Sequence, residues 1–252
     1  MKSEAGPLEE GGRTQRIYAR LAGFLLLWLI INGLGGTLLF SQIAASGTFA
    51  ETAQRIAASE RLYRVALSTG VLASLSSVLL AFALYATLKP VNSLLAQLAM
   101  IFSVGDSFLA LVVRMCGFVR LYLYLSSQRV VSGPDTAQAL SDLMRSVASI
   151  TENIGGISFG IGLLLFLYLF FKSRYIPRIV AALGLFASVI WVALYFASLV
   201  FPEQRRLFLY ICFPPMALAD VVTGFYLALF AVRTEGSGDQ FAQGTAIPGR
   251  AV

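Results

Sequence analysis

Residues 179–201 read IVAALGLFASVIWVALYFASLVF, 23 positions without one charged side chain. A helix rises about 1.5 Å per residue and the hydrocarbon layer is about 30 Å thick, so roughly 20 such residues span a bilayer. Arg178 stands directly before the run, and Arg205 and Arg206 follow it closely. Charge therefore returns where a span would end. Five further runs are also long and mainly apolar, with few charges: Leu21–Ile43, Leu62–Leu88, Leu94–Leu125, Glu152–Phe171 and Leu207–Val232. The predicted fold is all-α, a polytopic integral membrane protein with six transmembrane helices in one bundle. That bundle occupies residues 17–232. Residues 1–16 and 233–252, polar and rich in Gly, Ser and Gln, are expected to be a disordered cytoplasmic head and tail.

Composition excludes the main alternatives. Of 252 residues 58% are hydrophobic and 13% charged, about half the charged share of a soluble domain. A soluble fold has no interior large enough for this much apolar surface. There is no histidine, which removes Ser-His-Asp and Cys-His catalysis, His-ligated haem and the usual zinc sites. Cys116 and Cys212 lie in apolar runs and imply buried thiols rather than a disulfide framework. No phosphate-binding G-x-x-x-x-G-K-[ST] occurs, and Gly33-Leu34-Gly35-Gly36 sits inside a span, away from any nucleotide. No metal and no cofactor is expected. The net charge of +6 is scattered over helix ends, which suits topology and anionic lipid rather than nucleic acid. The lipid bilayer is the expected partner, with a small molecule or proton besides; oligomeric state stays open.

The basic residues also suggest an orientation. Lys2, Arg13, Arg16 and Arg20 precede the first span, which is too long for a signal peptide and lacks a small-residue cleavage site. With the N-terminus cytoplasmic, ten basic residues fall on the inner side and six on the outer, leaving Arg114, Arg120 and Arg145 uncounted. Both termini are then cytoplasmic in a bacterial inner membrane. On the outer side, Thr48 and Glu51 form a capping-box pattern opening a short amphipathic surface helix. Asp135 with Gln138 opens a helix that is expected to run unbroken into the fourth span.

Ionisable residues in an apolar span are costly and usually face the bundle interior. Asp106 lies 12 residues past Leu94 and Asp220 13 residues before Arg233, both about 18–20 Å from the inner boundary. They are expected at one mid-membrane level, with Asn32, Thr223 and Ser103 as hydrogen-bonding neighbours. Arg114 and Glu152 both fall about one membrane thickness from inner-facing starts and are outer ion-pair candidates. Gly156-x-x-x-Gly160 has close-packing spacing. Tyr18, Tyr122, Tyr124 and Tyr175 sit where interfacial aromatic belts belong.

Several of these stretches carry a resemblance. They are Arg16–Gly23 opening the first span, Leu88-Lys89-Pro90-Val91-Asn92, Phe102 followed by Asp106, Asn153–Gly160, Lys172–Arg178, and Pro215 with Asp220. Over about residues 13–233 the chain resembles the bacterial integral-membrane family known as domain of unknown function 4386. Members often carry histidine in the fourth span, which this chain lacks. The resemblance implies a six-helix bundle and carries no established activity. Three functions follow from the residues. One is binding or moving a small ligand or proton through a polar site at Asp106 and Asp220. An alternative is a structural or partner-binding subunit without ligand. A minor alternative is an intramembrane enzyme using the two aspartates as an acid/base dyad; no nucleophile or metal constellation supports it, so the reading leans away from an enzyme.

Overall fold

A computed structural model describes residues 7–43, 47–127 and 134–230. These form seven α-helices and one 3₁₀ turn, with no strand among the described residues. The helices are α1 (Pro7–Ile43), α2 (Phe49–Ala58), α3 (Glu60–Leu88), α4 (Ser93–Ser127), α5 (Pro134–Ser173), α6 (Arg178–Val200) and α7 (Arg205–Phe230); the 3₁₀ turn is Pro202–Gln204. All but α2 are long and apolar enough to cross a membrane.

The six long helices pack as a closed ring in chain order. α1 lies against α3, α3 against α4, α4 against α5, α5 against α6, α6 against α7, and α7 returns to α1; α3 and α5 also touch across the ring. Consecutive long helices are antiparallel: from α3 onward the connections are a few residues long, and α1, which reaches α3 through α2, sets Gln15 against Thr87 and Tyr18 against Phe82. One face of the bundle, the terminal face, therefore carries the start of α1, the end of α7 and the α3–α4 and α5–α6 connections. The opposite face carries α2.

Local chemistry sets the element ends. Thr48 caps α2: its hydroxyl accepts from the Glu51 N–H while the Glu51 carboxylate accepts from the Thr48 N–H. The Asn92 side chain accepts from the Leu95 N–H at the start of α4 (3.0 Å). α5 runs unbroken over 40 residues from Pro134, as the Asp135–Gln138 pattern implies. It ends where Arg174 turns left-handed, at φ 57°. α1 starts earlier than the sequence reading puts it: residues 7–16, assigned to a disordered head, are helical. Proline is pre-set for a first helical position, which fits the start at Pro7. The rest of the expected head, residues 1–6, and the tail from 233 lie outside the described residues.

Apolar packing is strongest toward the terminal face. Leu84, Leu88, Ala96, Ala99, Phe166, Leu169, Phe170 and Leu227 form one buried cluster there. Near the other face α2 buries Ala53 and Ile56 against Tyr63, Leu67, Leu121 and Tyr124. It is thus docked on α3 and α4 as a cap, where the sequence reading has it lying on the surface. Around the ring large apolar side chains point outward; Ile31, Leu94 and Ile179 are 66%, 76% and 84% exposed. Exposed apolar surface on every side is what a lipid-facing perimeter requires.

Candidate functional site

Asp106 faces the seam between α4 and α5. That seam is close-packed. The Ser158 hydroxyl donates to the Phe102 carbonyl (2.8 Å). A Cβ at Gly162 would lie 2.6 Å from the Ser103 Oγ, and one at Gly155 would lie 2.9 Å from the Asp106 Oδ1. Ser103 is therefore part of the packing of the two helices, and its carbonyl accepts from the Ser107 hydroxyl (2.9 Å). Gly155 leaves the recess that the Asp106 carboxyl fills.

Asp220 lies elsewhere. With Thr223, one turn on along α7, it lines a small cavity otherwise walled by Ala219, Leu26 of α1, Leu84 of α3, and Leu163, Phe166, Leu167 and Phe170 of α5. The cavity leaves about 10 Å³ for the centre of a water molecule, roughly one water's worth. Thr223 is 6% exposed, and its Oγ1 is buried without a hydrogen-bond partner among the described residues. The lining is hydrocarbon apart from these two residues of α7.

The two aspartates are not brought together. Asp106 touches α5 at Gly155, whereas the Asp220 cavity begins on α5 at Leu163. Eight residues of helix correspond to about 12 Å of rise. An acid/base dyad needs carboxyls a few ångströms apart, so the dyad reading has no geometric support. Axial offset and tilt between α4 and α7 come from side-chain packing and have no counterpart in a residue count along either span. Asn32 lies on α1. The approach of Gly23 to Gly224 and Ala228, and of Leu27 to Gly224, sets an antiparallel register that carries Asn32 toward the level of Asp220; Asn32 is not among the residues lining the cavity.

The charges near the α2 face pair differently from the sequence expectation. Glu152 binds Arg205 at the start of α7 (2.7 Å), and the Arg205 Nε donates to the Asn153 Oδ1 (3.1 Å). Arg114 makes no ion pair within 4 Å among the described residues; it lies against Gly70 of α3, where a Cβ would meet its Nε at 2.6 Å. Glu152 acts on it only through space. The Arg114–Glu152 pair is thus replaced by an Arg205–Glu152–Asn153 clasp. The competing principle is reach: Arg205 opens α7 beside the α5 end, whereas α4 meets α3 at the level of Arg114.

Other polar contacts were not foreseen. The Gln15 amide donates to the Thr87 carbonyl (2.8 Å) and the Tyr175 hydroxyl (3.0 Å), tying α1 to α3 and to the α5–α6 connection. Arg120 donates to the Tyr124 hydroxyl (2.7 Å). Tyr124 is 1% exposed and packs on Phe49, so it belongs to the cap and not to an interfacial belt; Tyr122, 73% exposed, faces outward. Gly156 and Gly160 admit Tyr195, Trp191 and Val192 of α6, and the Trp191 Nε1–H donates to the Gly156 carbonyl (3.0 Å). Among the described residues no group of acidic and thiol side chains is arranged to hold a metal ion.

No curated protein and no solved structure matches the chain. The family described as Domain of unknown function (DUF4386) matches residues 21–230, a stretch running from early in α1 to the last residue of α7. That stretch takes in all six long helices and is most of the chain, and the chain therefore belongs to this family.

Proposed function

We propose that this protein binds and releases a proton, or a small ligand, at Asp220 within the membrane. One observation carries the reading: the only carboxyl on the cavity wall shares it with an unpartnered buried hydroxyl, and everything else there is hydrocarbon. A carboxylate among hydrocarbon is strongly disfavoured unless its charge is met. A metal ion would want several oxygen ligands, and two side chains with room for one water do not supply them. A proton needs only the carboxyl and a water or hydroxyl to pass it on. Asp106, held against Gly155, serves here in packing α4 on α5 and is a second, separate carboxyl.

The protein would sit in a bacterial inner membrane with the terminal face cytoplasmic. The excess of basic residues at that face supports this. The structural-subunit reading is favoured by one observation, the tight α4–α5 seam in which the Asp106 carboxyl packs against Gly155. Infrared titration of the reconstituted protein separates the two. A carboxylic acid band that titrates in the wild type and in Asp106→Asn, and is lost in Asp220→Asn, supports proton exchange at Asp220. A wild type with no titrating band, or a band untouched in Asp220→Asn, overturns it.

A further inference from the structure

The geometry points to a second, unrelated site: Arg114, at the α2 end of the ring, binds a phosphate-type oxyanion at headgroup depth. A guanidinium carries five N–H donors and always a charge, yet Arg114 donates to no described residue, and its Nε is buried without a partner. Ionised groups inside a bundle are normally paired. Among the described residues the opposite charge that acts on it is the Glu152 carboxylate, and that carboxylate is bound to Arg205 at 2.7 Å. The cluster thus holds two guanidiniums against one carboxylate, and it remains one negative charge short.

The side chain is also held in place. Gly70 of α3 has no Cβ, and the Nε, Cδ and Cζ of Arg114 lie 2.6, 2.9 and 3.0 Å from where one would be. The helix thus closes the Nε edge and leaves the two terminal nitrogens as the part able to bind. A planar fork with two terminal donors matches two oxygens of a phosphate group. Depth fits the same ligand. Arg114 lies 21 residues past Ser93, the first residue of α4, about 31 Å of rise, which is close to the hydrocarbon thickness. Lipid phosphates lie at that level, and free phosphate reaches it from water.

The test uses the full chain purified in detergent and freed of lipid. Calorimetric titration with inorganic phosphate tests the free anion. Native mass spectrometry after exchange into phosphatidylglycerol micelles tests the lipid. Phosphate binding supports a free-anion source, and a retained phosphatidylglycerol supports a lipid source; either must be lost in Arg114→Gln. Gly70→Ala, which pushes the guanidinium off α3, should weaken the same binding while leaving the arginine in place. Glu152→Gln removes the competing charge and should tighten it about fivefold. If Arg114→Gln fails to fold, these two variants still decide. Binding of neither probe to the wild type overturns the proposal. So does binding unchanged in Arg114→Gln or Gly70→Ala, or no tighter in Glu152→Gln.

Discussion

At the scale of single residues the packing of α5 on α6 depends on an absent side chain. Gly156 admits the Tyr195 ring so closely that any Cβ would overlap it, and the neighbouring Trp191 ring stacks on Tyr195 at 4.9 Å between centroids. Gly156→Ala should therefore destabilise the protein by about 1–3 kcal/mol, the usual cost of overpacking. A lowered unfolding temperature in detergent, with changed tryptophan emission, checks it; an unchanged melting curve would show that the ring has room to move. Arg174 gives the opposite case. Its left-handed backbone, φ 57°, is strained for a side chain with a Cβ. Arg174→Gly should raise stability by about 1 kcal/mol, measured by the same unfolding assay. The sequence shows Gly156 plainly, and its G-x-x-x-G spacing correctly suggests a packing face. Which helix fills the gap is invisible there, because the aromatic partner sits 39 positions on.

At the scale of elements α2 and α7 make separate predictions. α2 has ten residues, too short to persist alone in water. Its capping box and the burial of Ala53 and Ile56 hold it. Thr48→Ala should cost about 1 kcal/mol, felt locally: amide exchange over residues 49–58 should quicken while the long helices keep their protection. If exchange there is unchanged, the cap is redundant. α7 carries Pro214 and Pro215 in its interior, between the Arg205 clasp and Asp220. Each proline lacks an N–H and crowds the carbonyl four residues earlier. Pro215→Ala should restore a helical hydrogen bond and raise the unfolding temperature; a fall would mean that the proline ring itself is needed for packing. Element positions were legible because each long apolar run has its own charged or turn-forming flanks. The start of α1 was not, since Pro7 to Gly12 are polar and nothing apolar marks them as helix.

For the whole molecule the ring predicts topology. With the terminal face cytoplasmic, a membrane-impermeant thiol reagent added outside intact cells should label Thr136→Cys and miss Ser173→Cys. The opposite pattern would invert the protein in the membrane. The structure refines the choice of probe: Thr136 is exposed, whereas Ser141, a plausible site from sequence, is 0% exposed and lies beneath Arg120.

The amino-acid sequence by itself determined that this is a six-span helical membrane protein, which residues begin and end most spans, and which few ionisable groups lie among apolar neighbours. Those properties are local: hydropathy, length, caps and breakers act within one run of residues. Which side chains meet came from the packing of the helices. It put Asp220 with Thr223 on a one-water cavity, set Asp106 apart against Gly155, and gave Glu152 to Arg205 rather than to Arg114. The physical reason is that hydropathy and breakers act within one run of residues, whereas the axial offset, rotation, tilt and neighbours of each helix are set by side-chain packing around the ring.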